Sequence, residues 1–267
     1  MGRGVAHVRG TKVVYDDVGS GPVVMLLHGF PFDRSMWREQ AQALSDTCRV
    51  VAPDLRGQGE TPLGDGALTM GEMAEDVAAL LDELSVERAV LGGLSMGGYV
   101  AFQFFRRFSR LVRALVLADT RPQTDTDEAR RTREETARRA LSEGMALIAD
   151  SMLPKLLSAN TRESRPDVVE RVRSMMLGTR REGAAAALRA MAVRRDQTDL
   201  LPSIDVPVLI IVGGEDPITP PSDAEAMGAK IKDARLIRIE RAAHLSNVER
   251  SEEFNRALVE FVNGLPA

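Results

Sequence analysis

The sequence predicts an α/β protein built on a mostly parallel sheet, and three observations carry that expectation. Short apolar segments rich in Val, Leu and Ile recur along the chain, bounded by Gly, Pro and Asp as buried parallel strands are. Stretches with helical spacing separate them. A serine flanked by glycines stands at one strand-to-helix junction.

Strands are expected over residues 23–28, 49–53, 88–92 and 112–118, then over 206–212 and, more weakly, 235–239. Helices are expected over 70–84, 96–108 and 251–262. In the first of these, Met73, Val77, Leu80, Leu81 and Leu84 share one face while Glu72, Glu75, Asp76, Asp82 and Glu83 occupy the other. In the last, Phe254, Leu258, Phe261 and Val262 fall at i, i+4, i+7 and i+8. The alternation breaks between Thr120 and Leu201, where Arg, Glu, Ala, Leu and Met dominate and no Phe, Tyr or Trp occurs. The composition there is helical, with Pro154, Pro166 and Pro202 as punctuation. Asp127–Arg131, Glu134–Arg138 and Glu135–Arg139 are spaced to pair along an exposed helix. The expected organisation is therefore one domain, with a core of residues 1–120 and 202–267 and a helical lid, residues 121–201, inserted into it.

Composition narrows the function classes. The 267-residue chain can bury a large core, and a formal charge of −4 argues against nucleic acid as a partner. Cys48 is the single cysteine, which rules out an internal disulfide framework and fits a reducing compartment. His7, His28 and His244 are widely separated and offer little for a zinc site. The N-terminal residues lack the apolar run of a signal peptide, and the longest aliphatic runs fall far short of the roughly 20 residues that cross a bilayer. A soluble, cytoplasmic protein with no membrane partner is expected.

The sharpest local signal is Gly92-Gly93-Leu94-Ser95-Met96-Gly97-Gly98. A serine on so tight a turn is strained, and its neighbours at ±2 must be small for the turn to close. Its hydroxyl then projects at the C-terminal sheet edge, where a helix N-terminus favours developing negative charge. A serine hydroxyl is a weak nucleophile that needs a base and an orienting acid. Asp216, in Gly213-Gly214-Glu215-Asp216-Pro217, and His244, in Ala242-Ala243-His244-Leu245, follow the last two strands. Parallel strands bring both loops to the edge that carries Ser95. Ser95 as a mere helix N-cap is the bland alternative, but an N-cap needs no glycine on both sides. Asp119, at the end of segment 112–118, is the rival acid. His7 lies too early on an edge segment to be the base.

The chain resembles the α/β-hydrolase superfamily, notably its carboxylesterase, 3-oxoadipate enol-lactone hydrolase and cofactor-free perhydrolase branches. The likeness covers nearly the whole chain: His28-Gly29-Phe30-Pro31, Pro53-Asp54-Leu55-Arg56-Gly57-Gln58-Gly59, the serine turn, the acid loop and the histidine loop, in that order. It implies an eight-stranded, mostly parallel sheet flanked by helices, with Ser95 as nucleophile, His244 as general base and Asp216 as orienting acid. It further implies an oxyanion hole from the backbone N–H groups of Phe30 and Met96, with His28 shaping that loop, and no cofactor. Phe32, Trp37 and Leu245 are candidate pocket residues, although Trp37, in Ser35-Met36-Trp37, reads better as a packing residue at a helix start than as a substrate contact. Arg56 and Asp54 are expected to form a structural ion pair behind the site.

The expected reaction is cleavage of a carboxylic ester or lactone through an acyl-enzyme, by a monomer or small homo-oligomer. Enol-lactone hydrolysis and perhydrolysis are its neighbours, and a non-catalytic ligand receptor is a remote alternative. The segment 121–201 carries a net charge of +3 against −7 for the remainder. That contrast could attract a carboxylate-bearing substrate, although a solvated surface of paired charges explains it as well. Five of the twelve methionines lie in this segment, suited to filling irregular apolar space.

Overall fold

The structure, a computed structural model, describes residues 2–266. Strands β1 (Gly2–Val8) and β2 (Thr11–Val18) precede β3 (Val23–Leu27). A 3₁₀ turn (Arg34–Trp37) leads into α1 (Arg38–Leu44), followed by β4 (Arg49–Pro53), α2 (Met70–Glu83), β5 (Ala89–Leu94), α3 (Met96–Phe108) and β6 (Val112–Ala118). The inserted segment contains α4 (Asp127–Glu143), α5 (Met145–Leu156), α6 (Ala159–Ser164), α7 (Pro166–Gly178) and α8 (Arg181–Ala192). Then come β7 (Val208–Gly213), α9 (Pro221–Gly228), β8 (Ala234–Ile239), α10 (Ser246–Glu249) and α11 (Ser251–Asn263).

The eight strands form one sheet in the order β1-β2-β4-β3-β5-β6-β7-β8. Every pairing from β4 to β8 is parallel, whereas β2 runs antiparallel to both β1 and β4. Side-chain parity divides the core. In β7, Val208, Ile210 and Val212 join the apolar cluster that contains α2, α3 and α9. Leu209 and Ile211 join the one that contains α1 and α11. Both faces are covered, so the strands read as continuous apolar runs.

The insert adds to both halves of this core. Ala137 and Ala140 of α4 pack with Ala184 and Ala187 of α8 in the first cluster, small residues that let two helices approach closely. Leu156, Val172, Met175 and Met176 enter the second. Two helix starts follow capping chemistry: Thr69 accepts from the Glu72 amide at 3.0 Å, and Thr126 from the Ala129 amide at 3.2 Å. Among the described residues no helix is long and apolar enough to cross a membrane.

Several local expectations are corrected. β5 runs on through Gly92 and Gly93 to Leu94, because both glycines are paired with β3 and β6 and a Cβ on either would meet a neighbour at 2.8 Å or less. β7 begins at Val208, after Pro207, and β3 stops before His28. Pro154 sits inside α5 and Pro202 inside a 3₁₀ turn, while Pro166 opens α7, where a missing N–H costs nothing. The exposed charges on α4 choose other partners. Arg130 meets Asp127, Arg138 meets Glu135 and Arg139 meets Glu143, while Glu134 reaches across to Arg189 of α8.

Trp37 takes the packing position that its place at a helix start suggested. Its ring is 1% exposed and packs on Phe254 of α11, with centroids 6.1 Å apart, so it serves as core between the 3₁₀ turn and the last helix. Truncating so large a buried ring leaves a cavity as well as losing transfer energy. Trp37→Ala is expected to lose about 3–5 kcal/mol of stability in a denaturant titration, with turnover per folded molecule little changed. A large rise in KM at full stability would instead mark the ring as a substrate contact.

Candidate active site

The serine turn is built as its glycines demand. Ser95 has φ 54° and ψ −111°, a strained conformation at the junction of β5 and α3. A Cβ on Gly93 would lie 2.3 Å from the Gly97 carbonyl carbon, and one on Gly97 would lie 2.1 Å from the Leu27 carbonyl oxygen. Neither contact is possible for a real side chain, so both positions require glycine. The Ser95 amide donates to the Ala118 carbonyl at 3.0 Å, and the Thr120 hydroxyl donates to the Ser95 carbonyl at 2.8 Å. The turn is thus tied to the end of β6.

Three loops converge on the hydroxyl. His244 Nε2 stands 2.8 Å from Ser95 Oγ, and His244 Nδ1 stands 2.8 Å from Asp216 Oδ2. Asp216 is fixed by its own loop. Its Oδ1 accepts from the Ile218 and Thr219 amides at 2.8 and 3.1 Å, and its Oδ2 accepts from the Thr219 hydroxyl at 2.6 Å. This is the Asx-turn geometry that an Asp before proline favours. All three side chains are buried, with Ser95 the most open at 9%.

The electrostatics follow from that burial. Desolvation alone would raise the Asp216 carboxyl, but the charge and hydrogen bond of His244 and the Thr219 donors outweigh it and hold the carboxyl below its usual range. Desolvation alone would lower His244. The charge and hydrogen bond of Asp216, with the charge of Asp119, outweigh it and raise the imidazole above its ordinary value.

The rival acid has another task. Asp119 is fully buried at the end of β6, with φ 43°. Its Oδ1 accepts from the Gly213 amide at 2.8 Å, where the acid loop begins. Its Oδ2 accepts from the Ser246 hydroxyl at 2.5 Å, just after His244. It ties the two loops together, while His244 Nδ1 is met by Asp216. Burial, and then the charge of Asp216, push the Asp119 carboxyl above its usual range.

The loop after β3 lies against the serine turn. A Cβ on Gly29 would sit 3.6 Å from Ser95 Cβ, and the Phe32 amide closes the loop onto the Gly29 carbonyl at 3.1 Å. Phe30, followed by a cis bond to Pro31, and Met96 are both buried here. His28 holds the loop from below. Its Nε2 accepts from the Leu55 amide at 3.0 Å, which leaves Nδ1 as donor to the Gly29 carbonyl at 2.9 Å. Both nitrogens are thereby committed with the ring neutral, and burial pushes its pKa down.

Asp54 takes a partner other than the one expected. It accepts from the Arg34 and Glu60 amides, each at 2.8 Å, and pairs with the Arg34 guanidinium, which also reaches Asp16 and Glu60. Arg56 instead forms a two-pronged pair with Asp76 of α2, at 2.6 and 2.7 Å. Sequence proximity suggested the Arg56 pair; the strand-end geometry points that side chain toward α2.

The insert reaches both flanking loops. The Thr179 hydroxyl donates to the Pro31 carbonyl at 2.9 Å, and the Leu245 amide donates to the Leu156 carbonyl at 3.1 Å. Phe32 and Leu245 are each 1% exposed in the apolar cluster that also contains Leu156, Val172, Met175 and Met176. Among the described residues, no three His, Cys, Asp or Glu side chains are grouped to hold a metal ion.

With this geometry in place, comparison with known proteins is decisive about kinship. The family model described as alpha/beta hydrolase fold matches residues 22–251. The chain belongs to this family. It is 29% identical over 241 residues to 3-oxoadipate enol-lactonase 2 of Acinetobacter baylyi, covering 89% of this chain and 87% of that one. A thermophilic esterase from Thermogutta terrifontis superposes with a TM-score of 0.96 at 40% identity, over 100% of both chains. An enol-lactonase from Burkholderia xenovorans superposes with a TM-score of 0.91 at 31% identity, over 97% of this chain and 100% of that one.

Their surroundings push the two buried histidines in opposite directions from a common reference, His28 down by burial and His244 up by Asp216 against burial. In an NMR pH titration, His244 is expected to protonate above the ordinary imidazole value of about 6.5 and His28 below it. The reverse order would contradict the hydrogen-bond assignments of both rings.

Proposed function

We propose that this protein is a serine hydrolase of carboxylic esters or lactones, working through an acyl-enzyme. The observation that carries the reading is the imidazole placed 2.8 Å from a strained serine hydroxyl on one side and 2.8 Å from a buried carboxylate on the other. The esterase and enol-lactonase likenesses, both above 30% identity over nearly whole chains, support the substrate class.

Ser95 Oγ attacks the substrate carbonyl carbon while its proton passes to His244 Nε2. Asp216 stabilises the imidazolium that forms and keeps its Nδ1 proton aimed away from the serine. The carbonyl oxygen gains negative charge next to the Phe30 and Met96 amides, with the N-terminus of α3 contributing its dipole. The tetrahedral intermediate collapses, and the leaving alkoxide takes the proton from Nε2. In a lactone that oxygen stays tethered to the acyl group. Water then attacks the acyl-enzyme and gives its proton to Nε2, and Ser95 leaves with that proton as the carboxylic acid is released.

Residues 121–201 serve in this reading as a lid over the core formed by 1–120 and 202–267. Its contacts to Pro31 and Leu245 support that role. Phe32 and Leu245 would then form the apolar wall beneath it.

A panel of short-chain aryl esters and lactones tests the reading. Wild type is expected to turn over members of the panel and Ser95→Ala none; equal rates would end it. Asp216→Asn is expected to cost about 10⁴-fold in kcat by presenting the wrong imidazole tautomer. Asp119→Asn should cost far less, and the opposite ranking would make Asp119 the orienting acid. Since His244 must be neutral to accept the proton, kcat/KM should fall with acidification through a midpoint above about 6.5.

A further inference from the structure

The main chain on both sides of His244 is anchored, and one anchor leads outside the core. The Ala243 amide, immediately before the imidazole, donates to Glu249 Oε1 at 2.6 Å. The other oxygen, Oε2, accepts from the Ser158 amide at 2.8 Å, at the corner between α5 and α6 of the insert. Glu249 is 3% exposed, and both bonds are to backbone N–H groups. One rigid, planar carboxylate therefore sets the distance between the insert and the chain that carries the ring. Close by, the Leu245 amide donates to the Leu156 carbonyl at the end of α5, so the same corner grips the residue after His244 as well.

We propose, building on the hydrolase reading above, that Glu249 is a positioning residue whose carboxylate couples the seating of the α5–α6 corner to the placement of the His244 ring. A relay with 2.8 Å contacts on both sides tolerates displacements of only about 0.5 Å, so movement of the corner is transmitted directly to the proton path. The seated insert is the reactive state. Lifting this corner withdraws the base as well as opening the site.

Two substitutions cut the link at opposite ends. Glu249→Gln retains shape but offers a single acceptor oxygen and turns an NH₂ group toward an N–H donor. Ser158→Pro removes the insert's N–H donor together with the Ser158 hydroxyl. Ser158 has φ −59°, which proline adopts, and Leu157 before it is extended, as a residue preceding proline must be. Ser158→Ala is the control, since it retains the N–H and loses only the hydroxyl that caps the Thr161 amide.

Steady-state kinetics on an ester hydrolysed by wild type, normalised to folded protein, should show kcat lower by about 10- to 100-fold in both Glu249→Gln and Ser158→Pro. KM should stay within about threefold, and the double variant should be no worse than the poorer single one, because both cut the same link. Ser158→Ala should remain within about threefold of wild type. The low-field proton resonance of His244 Nδ1–H, one of three histidines to resolve, should shift or broaden in both link variants and not in the control. Unchanged kcat in either link variant, or losses that multiply in the double variant, overturns the coupling. Should one variant fail to fold, the kinetics and resonance of the other decide. If wild type turns over no ester or lactone, the hydrolase reading fails separately. The resonance then still judges the coupling, which an unmoved signal in both link variants overturns.

Discussion

An imidazole held between a hydroxyl and a carboxylate is useful only if all three stay within a fraction of an ångström of line, and here they sit on loops 121 and 28 residues apart in sequence. The parallel sheet solves the coarse part of that problem. β5, β7 and β8 run in the same direction, so their C-terminal ends deliver Ser95, Asp216 and His244 to one edge. The fine part falls to the loops themselves, which are irregular and have no ladder to hold them.

Buried carboxylates do that holding. A carboxylate in the interior needs several donors to be tolerable, and the ends of strands present backbone N–H groups that need acceptors. Asp54 gathers the Arg34 and Glu60 amides below the loop of His28. Asp119 joins the start of the acid loop to Ser246. Glu249 joins the chain before His244 to Ser158 in the insert. Asp216 alone combines backbone donors with the imidazole. Each satisfies two needs together, and the result is a cross-tied rim around Ser95, Asp216 and His244.

The insert belongs to this rim as much as to the surface. Its alanines allow α4 and α8 to pack closely, and its methionines and leucines extend both halves of the core. Its hydrogen bonds reach the loop that carries Phe30 and the loop that carries His244. A segment anchored on both sides of Ser95 fixes, by its position, the loops that surround that hydroxyl.

The elements with strong local patterns were legible in the amino-acid order. α3 begins and ends where its spacing places it, at Met96 and Phe108, and the glycines around Ser95 announce a turn that no side chain at ±2 could survive. The order of Ser95, Asp216 and His244 along the chain, each after a strand, was enough to put them at one edge. Partner choice was not legible. Arg56 stands two residues from Asp54 yet pairs with Asp76, while Arg34, twenty residues away, takes Asp54. Trp37 lies on Phe254, more than two hundred residues distant, and Glu249 has no local pattern that announces its reach to Ser158. Periodicity, turn chemistry and steric exclusion act over a few neighbouring residues, so the chain by itself determined its strands, helices and serine turn. Which carboxylate meets which donor depends on three-dimensional placement after packing, and that the tertiary structure alone decided.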